Sequence, residues 1–566
     1  FRKEVRAQSG RQIYESDINP IFRCFEENYK DQDAPTLNTV FFDIEVAFDP
    51  VRGFSPVEDP FNPITAISVY LDWLDQMITL AVPPKHLSWN TAQELVSEFE
   101  NTILFEREED MIKMFLDIIE GADVLTGWNS EGYDIPYTVN RTTRILSKDD
   151  TRRFCLWGQF PKQRMFERFG AENQTYDLVG RVHMDYMQLY RKYTYEERHS
   201  YSLDAIGEYE LGERKTQFEG TLDSLYNQHF KKFIEYNRQD TMIIAKLDKK
   251  LRFLDLANEL AHANTVLLQT TMGAVAVTEQ AIIVEAHERG FVVPNRKQRN
   301  DSEDNQAAGA YVAYPKKGIH EWPGSLDINS LYPSIIRALN MSPETIVGQV
   351  RQTGTLAMIE SEMAKKKSFA ASWEGHFGSL EYEAVMNKEV GRDLHIDWVN
   401  GEEDSLSAAQ VHELIFNSNM PWMLSANGTI FTYEKEGVIP GLLKRWYAER
   451  KELQAKLRDA RKAGNKIEEE YWDKRQLVKK INLNSLYGAL LNQGCRFFDQ
   501  RLGQSTTLSG RAIVKHMSAK VNEIITGEYN HTGDAVIYGD TDSVYFSAYS
   551  TLKEDIENGN IPWNKD

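Results

Sequence analysis

Tyr538-Gly539-Asp540-Thr541-Asp542-Ser543 stands near the C-terminal end of the sequence, and the rest of the chain is read outward from it. Ala535-Val536-Ile537-Tyr538 before it and Ser543-Val544-Tyr545-Phe546 after it read as the two strands of a hairpin. Residues two apart on extended chain share a face, so Asp540 and Asp542 can be presented to one point. Two anions that close repel, and a hard divalent cation such as Mg²⁺ removes that cost. Asp also serves turns through its own hydrogen bonds, so the hairpin alone does not decide between the two readings. Acids elsewhere do.

Upstream, Ser325-Leu326-Asp327-Ile328 reads as the end of a strand, and Asn329 to Arg337 as a turn opening a helix. Exposed N–H groups at a helix start favour phosphate, and an acid just before them favours a cation bridging that phosphate. Asp327 is therefore a third acid to set beside Asp540 and Asp542. Leu442 to Ala463 and Ile467 to Tyr487 read as two long helices joined near Gly464. Gln476, Lys480 and Asn484 recur on one stripe of the second helix, with Tyr487 nearby, while Arg450 and Lys451 lie on the first. A basic helical hairpin facing three carboxylates makes a clamp for a triphosphate. Gly488 is expected to end the second helix and admit another chain closely. Residues 351–425 show no pattern and read as irregular.

The first half carries a second set of acids. In Val40-Phe41-Phe42-Asp43-Ile44-Glu45-Val46, an apolar strand places Asp43 and Glu45 on one face, where ionised carboxylates are costly unless paired or metal-bound. Strand-like runs follow at Ile64–Tyr70 and Gln76–Val82, and Glu109–Glu120 has helical periodicity. A strand ends near Trp128, with Asp134 on the following loop or first helical turn. Phe230–Leu247 carries an apolar stripe of Phe233, Ile234, Ile243, Ile244 and Leu247, with Tyr236 and Asp240 four apart on one face. Alternating strands and helices across 38–250 argue for an α/β domain. Asp43, Glu45, Asp134, Asp240 and the Tyr236 phenol together can hold two metal ions and present water to a phosphodiester.

Composition allows this and excludes other classes. The chain has 566 residues, 41% apolar and 27% charged, enough for roughly three to five domains. No apolar run reaches the length of a membrane span, so no membrane partner is expected. Three widely separated cysteines fit neither a disulfide framework nor a zinc site, and imply a reducing, cytoplasmic compartment. The net charge of −20 hides the basic stretch from Lys444 to Lys480, where a polyanion can be held. Phe1-Arg2-Lys3-Glu4 and the last residues read as mid-domain sequence, so the chain is expected to be a fragment at both ends.

These residues carry a resemblance. Asp327-x-x-Ser-Leu-Tyr-Pro-Ser, Lys480-x-x-x-Asn-Ser-x-Tyr-Gly and Tyr-Gly-Asp-Thr-Asp-Ser resemble motifs A, B and C of family B DNA polymerases. Phe42-Asp43-Ile44-Glu45, Asn129-x-x-x-Tyr133-Asp134 and Tyr236-x-x-x-Asp240 are similar to the family's three exonuclease motifs. All six stand in the family's order across residues 40–546. Trp128-Asn129 through Pro136 and Asn340 to Thr345 resemble replicative polymerases of T4-like bacteriophages.

The resemblance implies an RNase H-like 3′→5′ exonuclease domain and a right-hand polymerase, α/β and α+β, with a palm, helical-hairpin fingers and the thumb largely absent. It divides the chain into a partial N-terminal domain (1–37), the exonuclease (38–252), a helical segment and linker (253–300), palm (301–436), fingers (437–492) and palm again (493–566). Two Mg²⁺ per site, with Mn²⁺ as a substitute, fall to Asp327, Ile328 and Asp542 in one centre and to Asp43, Glu45, Asp134 and Asp240 in the other. Asp540 is adjacent and secondary, and Tyr236 orients the attacking water. Leu331, Tyr332, Arg450, Lys480 and Asn484 bind the dNTP, with Tyr332 excluding a 2′-hydroxyl. Tyr487, Gly488, Thr507, Gly510 and Arg511 contact primer–template DNA. A sliding clamp is implied as partner of the full-length protein, and the cell as that of an infected bacterial host. Ala307-Ala308-Gly309-Ala310 departs from the family by lacking an aromatic residue before Gly-Ala. Three other readings stay open, a nuclease whose second half only binds DNA, a DNA-binding fragment without productive synthesis, and a host-type repair polymerase of the same family.

Overall fold

Apolar side chains at Val40, Phe41, Phe42, Ile44 and Val46 leave no face of their strand for solvent, and Thr39–Val46 (β1) is buried almost throughout. The computed structural model describes residues 13–168, 170–194, 196–296, 309–352 and 393–560. Its contacts group Asp31–Met272 as one unit, and the residues up to Lys30 with those from Gly273 onward as another.

In the first of these, β1 lies inside a six-stranded sheet with β2 (Ile64–Leu71), β3 (Gln76–Ala81), β4 (Thr102–Leu104), β5 (Val124–Gly127) and β8 (Val182–Asp185), in the order β4-β3-β2-β1-β5-β8. Pairing of β1 with β2 and of β2 with β3 is antiparallel, whereas β1–β5, β5–β8 and β3–β4 are parallel. The remaining strands, β6 (Lys162–Arg168) and β7 (Ala171–Asp177), form a separate hairpin. Helix α1 (Asp134–Ile145) follows β5, and α2 (Phe230–Leu251) packs across β1 and β2. The stripe of Phe233, Ile234, Ile243, Ile244 and Leu247 on α2 is buried. Val40, Phe42, Ile67, Leu80, Phe115 and Leu125 belong to the core on which the sheet rests.

In the other unit, β9 (Pro323–Asp327) joins β15 (Val536–Asp540) and β16 (Ser543–Ser547) in a three-stranded antiparallel sheet with β16 at its centre. Helix α3 (Ala274–Glu288) packs on α5 (Val438–Ala463) and α6 (Lys466–Leu490), while α4 (Leu331–Ala338) contacts α5, α6 and α7 (Gln500–Thr526). Gly464 caps α5 at φ 67°, the left-handed conformation that closes a helix, and α5 and α6 return as an antiparallel hairpin.

Three expectations are corrected. Residues 393–425 are not irregular. β11 (Asp393–Trp398), β12 (Glu403–Ser407) and β13 (Trp422–Leu424) join β10 (Ile346–Gln352) and β14 (Thr429–Thr432) in a five-stranded sheet, while 353–392 lie outside the described residues. Gly488 does not end α6, which runs on to Leu490, and a Cβ there would meet nothing within 4 Å. Flanking Leu486, Ala489 and Leu490 are buried, which offsets the roughly 1 kcal/mol that glycine costs inside a helix. Strand β15 continues past Tyr538 to Asp540, so Thr541 (φ 54°) and Asp542 alone form the turn. Of the Ala307-Ala308-Gly309-Ala310 stretch, Ala307 and Ala308 lie outside the described residues.

Candidate active sites

Alternation along β1 sends Asp43 and Glu45 to one face, and α2 crosses that face with Asp240 and Asn237. One ligand oxygen from each of Asp43, Glu45 and Asp240 lies within 4.8 Å of the others, and among the described residues this is the only such acidic triad. Asp134 opens α1, and its Oδ1 accepts from the Ile44 amide at 3.2 Å, between Asp43 and Glu45 in sequence. Asn237 Nδ2 donates to Asp43 Oδ2 at 2.9 Å. Burial, reinforced by Glu45, Asp134 and Asp240, pushes Asp43 well above the ordinary carboxylate range. Burial likewise pushes Glu45 up to about 8 and Asp134 up to about 7, and raises Asp240. Without a cation the cluster thus favours protonated carboxyls over the full set of negative charges. Buried Asp240 Oδ1 has no hydrogen-bond partner, which is where the donor set fits a divalent ion.

Lys215 joins this cluster without any motif to mark it. Its Nζ donates to Asp240 Oδ2 at 2.5 Å and to the Tyr236 hydroxyl at 3.2 Å. Burial disfavours its charge, but Asp240, Tyr236 and Asp43 outweigh that and hold the ammonium above the ordinary lysine range. Tyr236 is raised by burial and then by Asp240, so its phenol stays protonated.

The second group is built by strand pairing. Antiparallel register sets Asp327 on β9 opposite Ser543 on β16, and Asp540 on β15 opposite the same serine. Asp542, in the turn, is raised by burial and then by the charge of Asp327. Asp540 is engaged locally, accepting from the Tyr538 hydroxyl at 3.1 Å and from Thr541 Oγ1 at 2.8 Å. Along the outer edge of β15, Ala313 donates to Gly539 O at 2.7 Å and Thr541 donates to Tyr311 O at 2.9 Å.

Tyr332 packs on Tyr487 with ring centroids 4.3 Å apart, and the Tyr487 hydroxyl is hydrogen-bonded to Thr507 Oγ1. A Cβ at Gly510 would stand 3.1 Å from Tyr332 Cε1, so the glycine lets α7 approach α4. Leu331 is buried beneath the same turn, and Arg511 Nη1 donates to Gly309 O at 3.1 Å. Arg450 and Lys480 line one open cleft of about 360 Å³ between α5 and α6, together with Arg458, Arg461 and Gln476. Asn484 is exposed one turn beyond Lys480, outside that lining.

Comparison with known proteins bears on both groups. A model of DNA polymerase family B matches residues 265–558, and a model of that family's exonuclease domain matches residues 11–206. The chain belongs to DNA polymerase family B. Asp327, Asp540 and Asp542 of this family B chain fall in the first match, and Asp43, Glu45 and Asp134 in the second. It is 27% identical over 549 residues to the DNA-directed DNA polymerase of Escherichia phage RB69, covering 91% of this chain and 58% of the relative. With the DNA-directed DNA polymerase of Enterobacteria phage T4 it shares 26% over 448 residues, 78% of this chain and 49% of the relative. With the DNA polymerase of Paramecium bursaria Chlorella virus NY2A it shares 25% over 601 residues, 96% of this chain and 58% of the relative. The chain therefore spans 49% to 58% of the length of these relatives. Among the described residues no helix is long and apolar enough to cross a membrane.

Proposed function

We propose that this protein is a template-directed DNA polymerase that transfers nucleotides from dNTPs to a primer 3′-hydroxyl and trims the new end with a 3′→5′ exonuclease, in replication of a phage or viral genome. One observation carries the reading: acids distant in sequence gather into two separate groups, Asp43–Glu45–Asp134–Asp240 and Asp327–Asp540–Asp542, on different sheets. An RNase H-like exonuclease is supported by the order β3-β2-β1-β5-β8, with antiparallel pairing on one side of β1 and parallel on the other. For the other unit we assign the sheet β15-β16-β9 to the palm (301–436 and 493–566) and the α5–α6 hairpin to the fingers (437–492).

Asp327 and Asp542, with Ile328 beside them, would hold Mg²⁺ or Mn²⁺ in the palm, and Asp43, Glu45, Asp134 and Asp240 would hold them in the exonuclease. When bound, such ions lower the pKa of the attacking hydroxyl or water and neutralise charge at the leaving group. Arg450 and Lys480 offset the charge of the triphosphate. Tyr332, packed at a tilt against Tyr487, blocks a 2′-hydroxyl, and Asn484 stands beside the incoming nucleotide. Arg511, with Tyr487 and Gly488, is assigned to primer–template, and buried Thr507 and Gly510 serve that surface from behind, through Tyr487 and Tyr332. In the exonuclease, Tyr236 orients the water, and Lys215 holds both that phenol and Asp240. Alignment rather than covalent chemistry supplies most of the acceleration. A sliding clamp as partner rests on the resemblance alone.

Extension of a primed template by the purified protein, with and without Mg²⁺, tests the reading. Mg²⁺-dependent extension together with 3′-end digestion supports it. Digestion alone would leave a nuclease. Salt-dependent DNA binding without turnover would leave a binding fragment.

A further inference from the structure

The loop Trp128–Tyr133 delivers Asp134 to the acidic cluster, and its shape is held from β8. Asp185, the last residue of β8, is 6% exposed and pairs with Gly127, the last residue of β5 before the loop. Its Oδ1 accepts from the Asn129 amide at 3.1 Å, and its Oδ2 from the Glu131 amide at 3.2 Å. The same Oδ1 accepts from the Met187 amide at 2.9 Å and so caps the helix Tyr186–Tyr193. Two positions back along β8, His183 Nε2 is hydrogen-bonded to Ser130 Oγ at 2.8 Å, and Ser130 has no exposed surface. Between these two holds, Asn129 adopts φ 60°. The Ser130 carbonyl accepts from the Ile135 amide at 3.0 Å, in the first turn of α1. Hydrogen bonds alternating with covalent backbone therefore link Asp185 and His183, through the loop and Ile135, to Asp134 and on to the Ile44 amide.

We propose that Asp185 is a positioning residue of the exonuclease, latching the Asn129–Glu131 backbone so that Asp134 meets Asp43 and Glu45. This rests on the exonuclease reading above. Capping a helix needs one acceptor, and serine supplies it as well as aspartate. The bonds to Asn129 and Glu131 reach a different element and add nothing to the cap. Burial pushes the Asp185 carboxyl up to about 6, opposed by the amides of Glu131, Met187 and Gln188, so the latch is anionic at neutral pH. Burial also lowers His183 to about 3, which leaves its Nε2 a neutral acceptor for Ser130 when Nδ1 carries the proton.

Asp185→Ser separates the two duties, since it keeps a cap for Tyr186–Tyr193 and removes both loop bonds. Hydrogen exchange of the whole protein in EDTA should show Asn129 and Glu131 losing protection while the amides of Tyr186–Tyr193 keep theirs. In Mg²⁺, kcat for digestion of a single-stranded 3′ end should fall about tenfold to a hundredfold with KM little changed, and primer extension should be unaffected. Asp185→Asn, which retains one oxygen, should recover part of the loss. A kcat within twofold of wild type, once the loop amides exchange freely, overturns the proposal. If Asp185→Ser loses protection throughout 31–272, Asp185→Asn carries the test, since its Oδ1 keeps the cap while an amide NH₂ replaces the acceptor of the Glu131 N–H: reduced kcat with an intact cap supports the latch, and full activity overturns it. A wild-type protein without nuclease activity would sink the exonuclease reading instead, while the exchange data still test the latch.

Discussion

The backbone amide of Ile328 donates a 2.8 Å hydrogen bond to the carbonyl of Asp542. Together with the Asp327–Ser543 register, it fixes the two acids as neighbours by backbone pairing, whatever their side-chain rotamers. Asp542→Asn therefore keeps the hairpin and removes one negative charge from the pair that we assign to holding cations. Primer extension should drop by roughly 10³-fold or more, while digestion of a 3′ end by the other group continues. Loss of both activities, or of neither, would contradict two independent centres.

Asp134→Ala should abolish digestion and spare extension, because Asp134 belongs to the cluster on β1 and α2. Lys215→Met makes a subtler test. It removes the 2.5 Å contact to Asp240 and the 3.2 Å contact to Tyr236, freeing the phenol that we assign to orienting water. Digestion should fall about 10²-fold with extension unchanged. Undiminished nuclease activity in either variant rejects its assignment.

How far the sequence reveals such a residue depends on whether its role leaves a periodic trace. Asp43 and Glu45 interrupt an apolar strand, and Asp240 interrupts the buried stripe of α2, so the cost of burying them is visible in the residue pattern itself. The helices α5 and α6 are legible from length and periodicity, to within a few residues of their ends. Lys215 sits in a polar stretch after the helix Leu203–Leu211, where a lysine is unremarkable. Only the fold brings it to Asp240. Asp185 likewise leaves no trace in the sequence, because the amides it holds come from another strand's loop. The β11 and β12 strands leave no such trace because Asp393, Asp397, Glu403 and Asp404 dilute their β-propensity, and strand preference depends heavily on packing partners.

Tyr332 has two supports, the Tyr487 ring and the close approach of Gly510. Tyr332→Ala empties the volume assigned to excluding a 2′-hydroxyl, so incorporation of rNTPs relative to dNTPs should rise by at least tenfold, the equivalent of about 1.4 kcal/mol. Paired measurements of kcat/KM for the two sugars check it. Unchanged discrimination would remove Tyr332 from that role.

The acidic cluster also predicts how the metal-free protein responds to pH. In the unfolded chain Glu45 and Asp134 ionise at their ordinary values of 4.5 and 3.8, whereas the fold holds them near 8 and 7. Between about pH 4 and 8 the folded state therefore binds more protons than the unfolded state, and stability falls as pH rises. Their contribution is complete below the ordinary values and gone once pH passes the raised ones. In EDTA, the unfolding temperature of the transition involving residues 31–272 should drop between about pH 6.5 and 8.5. Glu45→Gln, which cannot ionise, should flatten that slope and unfold at a higher temperature than wild type at about pH 8.5. Asp185 and Asp248, held near 6 by burial, act in the same direction at lower pH, and Glu45 is among the charges that raise Asp43, so the difference between variant and wild type reports Glu45 together with its effect on Asp43. Calorimetry at several pH values decides the matter. A wild-type transition that rises with pH, or a variant with the same slope, would mean that Glu45 is ionised in the metal-free fold at neutral pH and that the cluster needs no cation to hold its charge.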